Sequence, residues 1–325
     1  MRVGIGLEIT QGGRAPGFGA GTVVALDFQR KDFGINGSHV SDPSLLPGWS
    51  FTRASVGMAS DSAGNVLSFA SGQPRSTDLG LLIEPAGTNN FQWSQAFDNV
   101  IWSKGAVSIT PDAVVAPDGT TTADAMVEDG TTAAHQVFQN CSYVALSTNT
   151  VTVYVKPATR TQVYVSFASS YDASNPGAYF NLTGSGSVAL TTGTGVPSIT
   201  LVAGGFYRCS VTATSSTANT SGNFFIAGAV GSSNSYAGNS STAFYLWQAD
   251  MQPGSSIASP IRTVGATGTR AIDALTLTYG GSPTTATVLY GTNSSASPSA
   301  ASPLNLGASS AGAWVGNYIR RVTVQ

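Results

Sequence analysis

The chain has 325 residues and a mass of 33.0 kDa, enough for one large domain or a few small ones. Charged residues make up only 9% of the sequence and the formal net charge is −2. Phosphate binding needs clustered Lys and Arg, so a chain with three Lys is not expected to bind nucleic acid. It has no run of about 18 to 20 apolar residues and no apolar leader at its N terminus, so we also expect no membrane insertion.

The first fifty residues predict an N-terminal attachment arm. The segment from Gln11 to Gly21 is rich in glycine and cannot hold a compact element by itself. Val23 to Phe28 follows as a short strand that needs a partner. We therefore expect residues 1–50 to dock on another protein or an adjacent subunit, with a disordered leader as the alternative. Residues 51–87 are expected to be a connector.

Residues 88–260 have the pattern of an antiparallel jelly-roll β-sandwich. Apolar or β-branched residues recur at every second position, and Gly, Ser, Asn and Pro separate these runs. The amphipathic helices that a parallel α/β fold would place between strands are missing from the pattern. Eight or more strands in two sheets are therefore expected. The clearest runs are Val151–Lys156, Gln162–Phe167, Ala178–Leu182, Phe206–Thr212, Asn223–Ala227 and Ala243–Trp247.

Residues 261–325 predict a small C-terminal β module. Three alternating runs, Ala274–Tyr279, Ala286–Tyr290 and Tyr318–Val324, are its expected strands. The Ser- and Ala-rich stretch Asn293–Ser302 is expected to be a loop between them. The predicted fold class is therefore all-β, an antiparallel jelly-roll sandwich with a glycine-rich N-terminal arm and a small C-terminal β module.

The two cysteines and two histidines do not form a metal motif. Cys141 and Cys209 have no metal-ligand spacing with His39 and His135. Cys209 falls on an alternating apolar face, so it is expected to be a buried structural thiol, and whether it pairs with Cys141 is left open. His135 is expected to be a strand residue rather than a catalytic base.

A series of short motifs runs from about residue 22 to residue 280. They are Phe51–Ser55, Gln73–Arg75, Gly80–Asn89, Phe97–Trp102, Ala116–Thr121, Val153–Lys156, Phe206–Arg208, Leu246–Asp250, Pro260–Thr263 and Thr269–Asp273. In this order they resemble bacteriophage structural proteins of the tail- or head-fibre type, which carry a carbohydrate-binding-like jelly roll. Where that family has an arginine after Leu-Leu-Ile-Glu-Pro-Ala, this chain has Gly87, so any ion pair at the start of the sandwich must use another residue.

The resemblance implies a non-enzymatic fibre or spike subunit on the surface of a phage or phage-derived particle. Its expected partners are bacterial surface polysaccharide, which it would bind during host attachment, and other virion proteins contacted through the arm. It also implies a homotrimer, and no cofactor is expected. Two alternatives remain open: a tailspike-like glycan depolymerase and a purely structural fibre spacer.

Catalytic carboxylates are scarce in the predicted sandwich. Glycoside hydrolysis uses a pair of carboxylates, and beyond the first 130 residues the acids are Asp172, Asp250 and Asp273. Asp273 belongs to the Thr-Arg-Ala-Ile-Asp motif and is expected to be structural, so we predict no enzymatic activity. Glu84, Asn89 and Asp250 are alternative calcium ligands, although ordinary hydrogen bonding of these side chains is favoured and no metal is predicted.

Two polar loops contain the residue types that bind sugars. A sugar stacks its C–H face on an aromatic ring while amide and carboxylate groups reach its hydroxyls. The loops Ser169–Pro176 and Gly231–Ser240 both follow strands and are expected at one end of the sandwich, with Trp102 and Trp247 in the core. In the alternative, each loop tyrosine anchors its own loop. The predicted glycan-binding residues are Tyr171, Asp172, Asn175, Asn234, Tyr236 and Asn239.

Overall fold

A computed structural model describes residues 21–325. In this part of the chain, antiparallel strands joined by turns and short 3₁₀ helices form the fold, and no α-helix is present. The all-β prediction is confirmed. No helix among these residues is both long enough and apolar enough to cross a membrane. Residues 1–20, the glycine-rich beginning of the predicted arm, lie outside the described part.

The strands before the sandwich are short. They are β1 (Val24–Asp27), β2 (Asp32–Ile35), β3 (Ser38–Val40), β4 (Trp49–Thr52), β5 (Gly57–Ser60), β6 (Val66–Phe69), β7 (Arg75–Thr77), β8 (Gly80–Leu82) and β9 (Gly87–Asn89). A 3₁₀ helix, Pro43–Leu45, separates β3 from β4. Asp42 caps this helix, because its carboxylate accepts a hydrogen bond from the Ser44 backbone N–H at 2.9 Å.

The next strands build the sandwich. They are β10 (Ser103–Gly105), β11 (Val107–Val115), β12 (Thr121–Glu128), β13 (Thr132–Ala134), β14 (Gln136–Ser142), β15 (Thr148–Pro157), β16 (Gln162–Phe167), β17 (Gly177–Asn181), β18 (Ser187–Thr192), β19 (Val196–Leu201), β20 (Tyr207–Thr214), β21 (Ser221–Gly228), β22 (Ser235–Ala237) and β23 (Thr242–Pro253). A 3₁₀ helix, Ala203–Gly205, lies between β19 and β20, and β13 pairs with β22 as a separate ribbon.

Two six-stranded antiparallel sheets face each other in this sandwich. Sheet I has the order β10-β14-β21-β16-β17-β18, and sheet II has the order β11-β12-β23-β15-β20-β19. Alternate residues of both sheets point inward and form one apolar core, which includes Trp102, Val153, Val165 and Phe224. The predicted antiparallel sandwich is therefore confirmed.

The outer face of sheet II is covered as well. Tyr154, Phe206 and Trp247 point away from the main core and pack on Met58 and Val66 of the β5-β6 hairpin. Both faces of sheet II are therefore buried here, whereas this hairpin does not cover the outer face of sheet I. Trp102 and Trp247 are both fully buried, as predicted, although they belong to different apolar clusters.

Several of the last strands pair with strands from the first part of the described chain. They are β24 (Gly268–Arg270), β25 (Ala274–Leu277), β26 (Ala286–Tyr290), β27 (Ser294–Ala296), β28 (Leu304–Asn305) and β29 (Tyr318–Val324). A 3₁₀ helix, Ala308–Ser310, lies between β28 and β29. β29 pairs with β1, β8 and β26, while β25 pairs with β4 and β24 pairs with β9.

The predicted division into arm, connector and C-terminal module differs from this arrangement. Residues 21–87 and 268–325 together form one unit, here called the terminal body, with its own apolar core. The strand that begins the predicted arm has its partner in β29, where Leu26 is opposite Val322. Sequence alternation identifies both strands, but it carries no information about which strands pair across the length of the chain.

Candidate functional site

Tyr171, predicted to be an exposed stacking residue, lies in the sandwich core. Its side chain is 1% exposed and stacks on Phe167, with ring centroids 4.2 Å apart. Its hydroxyl donates a hydrogen bond to the Ala213 carbonyl at 2.8 Å and accepts one from the Asn149 amide at 3.1 Å. The prediction of an exposed ring is wrong at this position. The ring packs among apolar side chains of the core, and its hydroxyl has hydrogen-bond partners within the protein.

Tyr236 is also buried, with 8% of its surface exposed. Its hydroxyl donates to Glu128 at 2.8 Å, and Arg160 both lies over its ring at 4.7 Å and binds Glu128 at 2.9 Å. Burial raises the pKa of Glu128, but hydrogen bonds from Arg160 and Tyr236 outweigh burial, so that pKa is lowered overall. Tyr236 is therefore an anchor of its own loop, and the sequence analysis missed the buried acid that holds it.

The two predicted loops do not meet. β16 and β21 are antiparallel neighbours, with Val163 opposite Gly228 and Phe167 opposite Phe224. A loop that follows β16 and a loop that follows β21 must therefore leave sheet I at opposite ends. The expectation of one combined site is wrong, because it requires a strand order that the sequence does not reveal.

The other four predicted residues have local roles. Asp172 is 7% exposed and accepts a hydrogen bond from the Ser174 backbone at 2.8 Å, while Asn175 has a φ of 49° in the following turn. The Asn239 backbone donates to Glu128 at 3.0 Å. Asn234 is partly buried at the bend before β22. Asx turns of this kind satisfy the backbone of the loop itself.

The family-like motifs of the terminal body converge on one buried ionic cluster. Arg75 donates to Glu84 at 2.5 Å and also binds Asp273, which accepts a second hydrogen bond from Arg53 at 3.1 Å. Arg270 lies 3.4 Å from Glu84. Burial raises the pKa of Glu84, but the charges of Arg270 and Arg75 lower it by more than burial raises it. The pKa of Glu84 is therefore below its usual value. The predicted structural role of Asp273 is confirmed.

Gly87 lies directly against the Arg270 guanidinium. A Cβ on Gly87 would lie 2.9 Å from the Arg270 guanidinium and 3.1 Å from the Gln252 amide oxygen. The same guanidinium donates to the Pro85 carbonyl and to Ser259. The glycine therefore leaves room for an arginine that comes from β24 rather than β9.

The alternative calcium ligands are occupied by protein donors. Asn89 accepts backbone hydrogen bonds from Phe91 and Met251, and Asp250 accepts one from Ile261 at 2.8 Å. Glu84 is bound by the arginines of the ionic cluster. Among residues 21–325, no group of three or more His, Cys, Asp and Glu side chains is placed to hold a metal ion. The geometry matches ordinary hydrogen bonding of these three side chains.

The cysteines and His135 are buried. Cys141 and Cys209 are free thiols, and burial raises the pKa of Cys141 to about 12. The prediction that Cys209 is a buried structural thiol is confirmed. His135 is fully buried, contacts Asp129 at 3.2 Å and packs on the Tyr236 ring. It therefore belongs to the packing around the Tyr236 loop.

A cavity of about 840 Å³ lies between the β5-β6 hairpin and the loop that follows the sandwich. Its lining includes Val56, Leu67, Val264, Asp118 and Arg262, and none of its lining residues is aromatic. A sugar site needs a stacking ring and convergent hydrogen-bonding groups. Because it has no aromatic ring, this cavity is not the best candidate for a sugar-binding site despite its size.

The outer face of sheet I does present aromatic rings. Phe138 of β14 and Phe225 of β21 are opposite each other and only partly buried, with ring centroids 5.1 Å apart. Their sequence neighbours Val137 and Phe224 lie in the sandwich core, so both phenylalanines must point outward. Two large apolar rings thus form a partly exposed pair on a strand surface.

A second aromatic pair lies beside the first on the same face of the sheet, but its two rings are buried. Tyr164 of β16 and Tyr179 of β17 are stacked, with centroids 4.2 Å apart, and each is 8% exposed. The Tyr164 hydroxyl is 3.1 Å from the Thr192 hydroxyl. Burial raises the pKa of Tyr179, so its phenol stays protonated as a donor and acceptor. Phe138, Phe225, Tyr164 and Tyr179 are here called the aromatic strip.

Amide side chains border the phenylalanine end of the aromatic strip. Asn140 is exposed, Asn223 is partly exposed, and the Asn140 amide donates to the Asn223 oxygen at 3.2 Å. Gln136 lies two residues from Phe138 on the same strand and shares its face. The sequence held a usable signal for this site, because the two adjacent aromatics Phe224 and Phe225 in one strand cannot both face the core.

In comparisons with known proteins, no family model matches the chain and no curated protein is significantly similar to it.

Proposed function

We propose that this protein is a virion fibre or spike subunit that binds bacterial surface polysaccharide through the aromatic strip of sheet I. The observation that carries the proposal is the partly exposed Phe138 and Phe225 pair beside the amides of Asn140 and Asn223. Rings of this kind can stack under the C–H face of a sugar, and neighbouring amides can donate to and accept from its hydroxyls. The proposed binding is non-enzymatic.

The dimensions of the aromatic strip suit an extended chain of sugars. Its members lie on β14, β21, β16 and β17, which are consecutive in sheet I. Neighbouring strands are about 4.8 Å apart, so the strip extends about 14 Å across the strands. A polysaccharide lying across the strands would stack on the partly exposed Phe138 and Phe225 pair, and the buried Tyr164 and Tyr179 would support the sheet beside it.

Recognition by the aromatic strip should be nearly independent of salt. The strip and its bordering amides contain no Asp, Glu, Lys or Arg. Screening at physiological salt acts over about 8 Å and weakens contacts between exposed charges, not stacking on a neutral ring. A neutral or weakly charged glycan is therefore the favoured ligand class.

The location on a virion is supported by sequence features rather than by the site. The motifs over residues 22–280 resemble phage fibre proteins, and a surface rich in Ser, Thr and Gly with few charges suits a protein exposed to the medium. Attachment to other virion proteins through the N-terminal segment belongs to the same proposal. The terminal body, which ties both ends of the described chain together, would present the sandwich to the host.

The test is binding of the full chain to bacterial capsular and lipopolysaccharide glycans on an array, with product analysis. Phe225→Ala and Phe138→Ala should each weaken binding about tenfold, since one stacked ring is worth about 1–2 kcal/mol. Leu201→Ala, an exposed apolar residue on sheet II, is the matched control and should bind normally. Raising salt from about 0.05 M to about 0.5 M should change affinity little.

Two results would contradict the proposal. Unchanged glycan binding in the Phe138→Ala and Phe225→Ala double variant, with its melting temperature retained, would move the site elsewhere. Release of reducing ends from the bound polysaccharide would show the depolymerase activity that is the alternative. Tyr171→Ala is not a useful probe of binding, because this buried ring supports the core.

A further inference from the structure

The aromatic strip leads to an open sheet edge. β18 is the last strand of sheet I and, among the described residues, pairs only with β17. Leu190 of β18 is opposite Tyr179, so it extends the row of the aromatic strip to the edge. Residues 187–191 are all exposed, including Val188 at 39% and Leu190 at 47%. An edge strand of this kind offers unpaired backbone N–H and C=O groups.

β18 lacks two of the features that normally block edge pairing, although its register with β17 shifts at Ala189. Charged side chains and proline are common protections, but β18 contains neither, and no charged residue occurs between Asp172 and Arg208. The other sandwich edges differ. β19 contains Pro197, β10 has three residues, and β11 contains Pro111 followed by Asp112 with a φ of 53° and irregular register.

We propose that β18 pairs antiparallel with β18 of a second copy of this chain about a two-fold axis, which gives a dimer in place of the homotrimer that the resemblance implies. A two-fold axis perpendicular to the sheet relates β18 to an antiparallel copy of itself. Each chain therefore provides the other with a partner strand that is also uncharged. A charged partner segment would meet no counter-charge along this edge. Pairing would bury Val188 and Leu190 of both copies and satisfy the open backbone groups between them.

The dimer would have one continuous twelve-stranded sheet. With the two-fold axis perpendicular to the sheet, the outer faces of both copies lie on the same side. Both aromatic strips then face one surface, and they meet near Leu190 at the junction. The consequence for glycan binding rests on the proposed function, whereas the pairing itself does not. Two linked sites would bind a dense polysaccharide more tightly than one.

The first experiment measures the mass of the full chain by light scattering and sedimentation over a range of micromolar concentrations. The expected result is a dimer that dissociates on dilution. The double variant Val188→Lys, Leu190→Lys should be monomeric, because like charges on both copies would meet at the junction. The matched control Val115→Lys, on β11 at the opposite edge of the sandwich, should remain dimeric.

A cysteine crosslink locates the contact. Ala189→Cys, at the centre of β18, should form a disulfide-linked dimer under mild oxidation, whereas Ser108→Cys on β11, at the opposite edge of the sandwich, should not. The native Cys141 and Cys209 are buried and should not compete. A wild-type monomer, a trimer, or a dimer that persists in the β18 lysine variant would overturn the proposal.

The outcomes for pairing and for glycan binding are separable. Phe138→Ala with Phe225→Ala should abolish glycan binding and leave the dimer intact. The β18 lysine variant should keep the single-site affinity for a short soluble oligosaccharide but bind a dense polysaccharide surface about tenfold more weakly or worse. If this variant is monomeric and binds the dense surface as wild type does, the two aromatic strips do not bind one polysaccharide surface together, and that part of the proposal is wrong.

Discussion

Arg75 occupies the centre of the ionic cluster that joins the terminal body to the sandwich. Its guanidinium is fully buried and bonds to Glu84, Asp273, Ser259 and the Met58 carbonyl. Such a group is tolerated in the interior because several acceptors replace its hydration. The cluster therefore fixes the relative positions of segments that are far apart in the sequence.

Removal of this guanidinium should destabilise the protein strongly. Arg75→Leu leaves Glu84 and Asp273 buried with only part of their compensation, and breaking a buried pair in this way costs about 3–5 kcal/mol. The free energy of unfolding, measured by urea denaturation, should fall accordingly. Arg262→Leu, at an exposed position, is the control and should change it by less than about 0.5 kcal/mol. Equal values for both variants would contradict the structural role of the cluster.

At the scale of the element, β29 is the strand on which the terminal body depends. It pairs with β1, β8 and β26, so it contacts strands from both ends of the described chain. Val322 is fully buried between Leu26 and Val288, whereas its neighbour Thr323 points to the opposite face. One strand therefore protects the segment that the sequence pattern predicts to be an independent arm.

A buried charge on β29 should expose that segment to proteases. Val322→Asp places an unpaired carboxylate in the apolar core of the terminal body, which should release β1 and make residues 24–40 cleavable. Limited proteolysis with mass spectrometry measures the cleavage, and wild type should be resistant there. The control Thr323→Asp adds the same charge on the other face and should preserve resistance. Rapid cleavage of residues 24–40 in wild type would show that the pairing with β29 is not maintained.

At the scale of the whole molecule, buried carboxylates set the pH dependence of stability. Burial raises the pKa of Asp124 and of Asp250 from 3.8 to about 6, so the folded state holds protons that the unfolded state has released. Stability should therefore decrease as pH rises from about 4 to about 6. The pKa values of Glu84 and Glu128 are lowered, so their contribution is lost as pH falls below their unfolded values.

The melting temperature should accordingly be highest at about pH 4. From pH 5 to pH 7.5 it should fall by several degrees, since each of the two aspartates costs on the order of 1–3 kcal/mol when ionised. Below about pH 4 it should fall again. Asp124→Asn removes one titrating group and should flatten the slope between pH 5 and pH 7.5, whatever its effect on absolute stability. A slope unchanged by this substitution would contradict the raised pKa of Asp124.

The sequence by itself determined the class of the fold and part of the core. Two-residue alternation predicts strands directly, because successive side chains of a strand face opposite sides. The same reasoning identified Cys209 as buried. The motifs that carry the resemblance predicted that Trp102 and Trp247 are core residues and that Asp273, in the Thr-Arg-Ala-Ile-Asp motif beyond the sandwich, is structural.

Only the tertiary structure decided what covers each face and which strands pair. Tyr171 is predicted from its polar loop to be exposed, but core rings enclose it, whereas Phe225 faces outward from its strand. The pairing of β1 with β29 and the opposite exits of the loops after β16 and β21 depend on strand order. Strand order arises from contacts between distant segments, and a local pattern of apolar and polar residues does not encode them.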